Sequence, residues 1–174
     1  NTRREVASAC SVLTDGEFFG GTLEDLKQAR RLVRLPLLRK DFVVDEYQLY
    51  QARTAGAAAV LLIAAVLSPD ECRRFARTAH ELELEVLLEV HTPSELSRLN
   101  GYVDMLGVNN RDLGTFHTDV ENSFRMADLL RREVDHIAAL GVVPFLLCGE
   151  QVVIGIVQPQ VDHVFLLKSH HLLH

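Results

Sequence analysis

The sequence lacks most of what marks a membrane, secreted or nucleic-acid-binding chain. Its longest uncharged apolar run, Ala55 to Leu67, falls short of the roughly 20 residues a helix needs to cross a bilayer. Positive charge is not in excess. The 18 Lys and Arg are scattered among 24 Asp and Glu for a net charge of −6, so neither a nucleic-acid surface nor a membrane surface is expected. Cysteine is scarce: Cys10, Cys72 and Cys148 are widely spaced, form no CxxC pair, and read as buried reduced thiols of a cytoplasmic protein. The chain opens on Asn1 without a charged n-region or an apolar h-region. No signal peptide is therefore expected, and a start inside a longer protein is. Finally, no G-x-G-x-x-G follows the first apolar run, which leaves a dinucleotide-binding sheet with little support.

What is present is alternation. Hydrophobic residues make up 48% of the 174, enough for one sizeable core. Short apolar runs rich in branched residues recur at Val6–Leu13, Leu35–Phe42, Ala57–Val66, Leu84–Val90 and Met105–Asn110. They are nearly continuous, not alternating with polar residues, which predicts strands covered on both faces, as in parallel α/β sheets. Between them lie segments with helix-start chemistry. "SPDE" offers Ser68 as N-cap, Pro69 at the first helical position and Glu71 to close a capping box; "TPSE" repeats this with Thr92, Pro93 and Glu95. Asp45 and Thr22 are two further caps, and Gly56 is a helix stop. Strand, short loop and helix repeating at this spacing predict βα units, and one-handed crossovers make their strands parallel. The fold class is α/β; the pattern alone leaves barrel and open sheet both possible.

Several strands end in polar residues. The second ends in Lys40, the fourth in Glu89, and the fifth in Asn109 followed by Arg111. In a parallel β/α fold every strand C-terminus lies on one face, where the following loops build the site, so these distant residues converge. A lysine and a glutamate at a desolvated tip suit acid–base work, because burial and mutual charge tune such groups. Arginine's planar fork suits a carboxylate or phosphate. The bland alternative is a set of ion pairs sealing one end of the fold. Strand alternation further places Lys40 and Phe42 on one side and Arg39 and Asp41 on the other.

Four stretches, "SVLTDGEFFGG", "LPLLRKDFVVDEYQLYQARTAGAAAVLLIAAVL", "LEVLLEVHTPSEL" and "LGVNNRDLGTFHTD", resemble the indole-3-glycerol phosphate synthase family in order and almost without gaps from about Val6 to Val134. The resemblance implies an incomplete (βα)₈ barrel with about strands two to six recognisable. It also implies a decarboxylating lyase of tryptophan biosynthesis. Its reaction closes the ring of 1-(2-carboxyphenylamino)-1-deoxyribulose 5-phosphate to indole-3-glycerol phosphate, with loss of carbon dioxide and water. By position it makes Lys40 the general acid, gives Glu89 the proton transfers of dehydration, and sets Asn109 on the substrate hydroxyl region. Arg111 falls near the substrate carboxylate, Phe19 and Phe42 wall the anthranilate ring, and Leu61 is an apolar wall. The implied partner is a small phosphorylated substrate; no metal or organic cofactor is implied, and fusion to or association with other tryptophan-pathway domains stays open.

Two departures accompany the match. The family's first strand, with its glutamate and lysine, has no counterpart before Val6, and residues 135–174 carry no A-E-S-G-I-like strand and no glycine-rich phosphate loop. The expectation is a partial barrel over residues 1–134 followed by a divergent tail that reads like a truncated or frame-shifted product, which the coding nucleotide sequence decides. Within that tail Val142–Cys148 and Val152–Val157 are two improvised strands, and "QVVIGIVQ" is adhesive if unpaired. "HHLLH" places His170 and His174 one helical turn apart, where a disordered or partly helical end is preferred over a metal site. The competing functional reading is a catalytically impaired or inactive barrel fragment.

Overall fold

The computed structural model describes residues 9–109, 129, 141–148, 151–157 and 167–168. Strand β1 (Ala9–Leu13) leads to helix α1 (Leu23–Leu32), then β2 (Leu37–Lys40), α2 (Tyr47–Ala55), β3 (Ala59–Ile63), α3 (Pro69–Glu81) and β4 (Glu85–Val90). A 3₁₀ helix, Pro93–Arg98, precedes β5 (Met105–Asn109). Strands β1 to β5 lie side by side in chain order and pair parallel throughout, the arrangement expected of βα units in a TIM-barrel-type sheet. Among the described residues no helix is long and apolar enough to cross a membrane.

The tail extends the same sheet, but with a change of direction. Strand β6 (Gly141–Cys148) pairs antiparallel with β7 (Gln151–Val157), and β7 pairs antiparallel with β5. Only residues 149–150 separate β6 from β7, far too few for the crossover that a parallel neighbour needs, so a hairpin is the one connection available. The apolar run expected to be adhesive is thus paired along both edges. Strand β8 (Leu167–Lys168) adds two residue pairs to β1 at the opposite side of the sheet.

The two faces of the sheet bury different sets. One face meets the helices through Leu37, Val60, Leu62, Val86, Leu88, Leu106 and Val108, packed with Leu26, Leu49, Cys72 and Phe75. The other gathers Ala9, Leu38, Ala59, Leu61, Ile63, Leu87 and Met105, with Phe42 against them. Both are apolar, which is why the strands read as continuous runs.

Caps set the helix starts. Thr22 and Ser68 each form a complete capping box, with Asp25 and Glu71 respectively. Asp45 accepts a hydrogen bond from the Tyr47 amide, and Gln48 accepts from the Asp45 amide, so Asp45 caps a turn that tightens before α2 proper. Gly56 ends α2 in the left-handed region at φ 89, as the helix stop requires. The expectation at Thr92 is corrected. No side-chain cap forms there, and Glu95 accepts from the His91 amide instead, leaving a short 3₁₀ helix in place of a capped α-helix. Strand β3 also stops sooner than its apolar run: the Ala64 amide makes the last ladder bond, to the Glu89 carbonyl, and the Val66 amide then turns back to the Ile63 carbonyl.

At the start of β4, Glu85 pairs with Ala59 across the ladder, near the end of the sheet away from the polar tips. Burial first, and the nearby Asp104 second, push its carboxyl up to about 7 from 4.5. Between those values the folded chain holds a proton that the unfolded chain has released, so stability falls as pH rises through the window and levels above it. Glu85→Gln is expected to remove that slope. Because Glu85 is only half-buried, the variant should gain about 1 kcal/mol over the wild type near pH 8 and little near pH 4, read from urea midpoints.

Candidate active site

The tips of β2 to β5 present a polar group ringed by apolar walls. Lys40 closes β2 and is half-buried; its register partner on β1 is Leu13. Counting by twos along β2, Lys40 stands on the face of Leu38 and Phe42, the face that carries Leu61 and Leu87. On β4 the same alternation brings Glu89 to this face, level with Ile63 on β3 and Gly107 on β5. Glu89 is buried, and Asn109, the last residue of β5, donates from Nδ2 to its Oε1 at 3.1 Å.

Aromatic residues close one side. Phe42, packed on the inner cluster, has the Phe18 ring edge-on at 5.6 Å and the Phe19 ring stacked at 6.4 Å. Both loop phenylalanines are otherwise open to solvent, 69% and 56% exposed. Their loop is tied down locally: Asp15 accepts from the Phe18 amide at 2.7 Å, and the Gly21 amide donates to the Asp15 carbonyl at 2.9 Å. Gly21 itself passes so close to β1 that a Cβ there would lie 2.2 Å from the Leu13 carbonyl oxygen. Gly21→Ala must therefore displace backbone, with an expected loss of about 2 kcal/mol in urea unfolding and a changed Phe19 environment by NMR.

The charges flanking Lys40 turn the other way, as strand alternation requires. Arg39 and Asp41 form a buried ion pair at 2.7 Å; Thr14 donates its hydroxyl to Asp41 at 2.6 Å and accepts from Arg39 Nε at 3.0 Å. Arg39 also donates to the Gln48 carbonyl of α2 at 2.6 Å, and the Thr14 amide donates to the Lys40 carbonyl at 3.1 Å. Lys40 thus sits between two residues fixed into a single network that joins β1, β2 and α2.

One further residue joins the site, and the strand pattern does not announce it. His91, two residues past Glu89, has Nε2 at 3.6 Å from Glu89 Oε1 and Nδ1 at 3.6 Å from Glu95 Oε2. A single histidine after a strand has no periodicity, and its partner Glu95 looks like half of a capping box. Of the residues expected from the sequence, Lys40, Phe42, Leu61, Glu89 and Asn109 stand on the inner face or at its tips, with Phe19 over Phe42. Arg111 lies outside the described residues, as do His170 and His174. Among the described residues no group of three or more His, Cys, Asp or Glu is placed to hold a metal ion. Cys72, on the buried face of α3, has its thiol pushed up to about 11 by that burial, which keeps it a protonated thiol near neutral pH.

Comparison with known proteins bears on this arrangement. The family model described as indole-3-glycerol phosphate synthase matches residues 1–145. A protein of that name from Bacteroides thetaiotaomicron is 57% identical over 136 residues, covering 78% of this chain and 52% of the relative. One from Neisseria meningitidis serogroup C is 51% identical over 125 residues, covering 71% and 48%. A third, from Neisseria gonorrhoeae, is 44% identical over 155 residues, covering 81% and 60%. The chain spans about half the length of the curated relatives it matches.

Proposed function

The chain belongs to the indole-3-glycerol phosphate synthase family, and from that membership we propose that its strand-tip site carries out the family's decarboxylating ring closure. The substrate is the carboxyphenylamino ketose phosphate. Its aromatic carbon attacks the ketose carbonyl while an acid protonates the carbonyl oxygen. Carbon dioxide then leaves from the ring carbon that made the attack, its C–C bonding pair returning to the aromatic ring, and loss of water completes the indole ring. Lys40 supplies the first proton, as an ammonium beside apolar Phe42 and Leu61 where a developing oxyanion has few waters to compete for it. Phe42 and Phe19 hold the aryl ring against the carbonyl, which replaces a search through orientations with a fixed approach.

Glu89 handles the protons of dehydration, and Asn109 both fixes its carboxylate and reaches the hydroxyl region. Arg111 is assigned by resemblance to the substrate carboxylate. A cytoplasmic location and association with other tryptophan-pathway domains belong to the same proposal. The observation that carries it is the buried Glu89–Asn109 contact on the face shared with Lys40. A carboxylate buried among apolar walls and oriented by an amide is an expensive way to build a strand end unless it meets a ligand.

The test is to incubate the purified full chain with the substrate and record indole fluorescence. Turnover supports the assignment. No signal from this chain, in an assay where a full-length relative turns over, would leave the second reading: a barrel fragment that keeps the site without activity. That reading is favoured by β7, which pairs antiparallel with β5 where a βα barrel has a parallel neighbour.

A further inference from the structure

Glu89 has a neighbour that the proposed reaction does not use. His91 leaves β4 on the residue after Val90 and turns its ring between two carboxylates, with Nε2 toward Glu89 and Nδ1 toward Glu95, each at 3.6 Å. All three side chains are largely buried: 10% exposed for His91, 6% for Glu89 and 13% for Glu95. Glu95 is not free to swing away. Its Oε2 accepts the His91 backbone amide at 2.7 Å, so the carboxylate that faces the ring is anchored by the ring's own residue. On the far side, Asn109 holds Glu89 Oε1, the same oxygen that His91 Nε2 approaches. The result is a line of four side chains, Asn109, Glu89, His91 and Glu95, running from β5 across β4 to the 3₁₀ helix.

We propose that Glu89, His91 and Glu95 form one proton-sharing unit in which His91 is a positioning residue for Glu89. The imidazole holds Glu89 toward the strand tips and gives a proton arriving there a second place to rest. This deepens the proposed function and rests on it for its chemical purpose, but the unit itself is a property of the folded chain. The transfer is a simple exchange: a proton leaves a Glu89 carboxyl oxygen for Nε2, and the imidazolium so formed shares its Nδ1 proton with Glu95. At 3.6 Å the atoms stand just beyond hydrogen-bonding distance, a gap that a small closure of the site spans.

Among the described residues the neighbouring elements bring few further charges to this level. Lys40 comes from β2, β3 contributes only Ile63 and Ala64 at this level, and Arg98 at the end of the 3₁₀ helix is turned to the Leu67 and Ser94 carbonyls. Glu89 and Glu95 are thus the carboxylates that face the two ring nitrogens. Interacting groups this close lose protons as a set, so each reports its neighbours' ionisation.

The experiment is a pH titration of the intact chain by NMR, following the Glu89 and Glu95 carboxyl carbons and the His91 ring nitrogens. Assignments come from Glu89→Gln, Glu95→Gln and His91→Gln. Two-step curves are expected for both glutamates, each collapsing to one step in His91→Gln, with the ring nitrogens responding to Glu89→Gln and to Glu95→Gln alike. Single-step, mutually independent curves in the wild type overturn the proposal without recourse to any variant. The outcome is separable from catalysis: coupling without turnover removes only the functional reading, and turnover without coupling removes only the shared unit. Where turnover is present, His91→Gln should shift the pH profile of kcat while leaving KM within about twofold. A merely structural role would lower activity evenly across pH.

Discussion

Lys40→Ala is expected to reduce kcat for indole formation by about 10²–10⁴-fold, the usual worth of a positioned general acid. The argument begins with place. Lys40 is the last residue of β2, on the face of Phe42 and Leu61, and its backbone is held by the Thr14 amide. A proton delivered to the carbonyl oxygen as the aryl carbon attacks is needed only as the transition state forms. Its removal should therefore depress kcat with little change in KM. Lys40→Arg should not restore the rate. A guanidinium carries the charge but is too weak an acid to release its proton, and its fork sits differently from an ammonium. Fold is controlled by urea unfolding, where the half-buried Lys40 should matter far less than its neighbours. A Lys40→Ala chain retaining more than about a tenth of wild-type kcat would remove lysine from the chemistry.

The second large effect is on stability, one residue away. Arg39→Leu should destabilise the fold by about 3–5 kcal/mol, because among the described residues it leaves the buried Asp41 carboxylate with Thr14 alone for a partner. The pair lies 4% and 9% exposed, so little water reaches it. Replacing both members, Arg39→Leu with Asp41→Leu, should recover most of the loss, since two apolar groups need no partner. The cycle is measured by denaturant unfolding of the two singles and the double. If Arg39→Leu cost less than about 1 kcal/mol, the pair would be energetically equivalent to a surface ion pair. The double variant also separates stability from function. It should fold yet lose activity if the network's role is to keep Lys40 in register.

These two expectations start from adjacent letters, and sequence periodicity already told them apart. A strand reverses its side chains at every residue, so Arg39 and Asp41 had to leave the face of Lys40. What periodicity could not supply was their partners. Thr14 lies 25 residues from Arg39 and the Gln48 carbonyl belongs to a helix, contacts that exist only once β1, β2 and α2 have packed. The strand runs were legible because both faces of the sheet are buried, and the caps at Thr22 and Ser68 because capping is local. Thr92 misled for the same reason. Its spacing was right, but the Glu95 carboxylate was taken by the His91 amide, a contact with no local signature. Glu89 and Asn109 were visible as polar ends of apolar runs, whereas His91 was hidden in the loop that follows. The tail's strands were readable as apolar runs and their hairpin direction only from the two residues between them.

The short clasp between β1 and β8 bears on how the chain reaches this state. Each βα unit joins partners close in sequence, while Ala9 meets Leu167 across nearly the whole chain. Closing a span roughly six times longer adds about 1.6 kcal/mol of loop entropy, set against two residue pairs among the described residues. The inner strands are therefore expected to order before this clasp. In the native state it should be the first part of the sheet to open, with the amides of β8 exchanging hydrogen faster than those of β3 and β4.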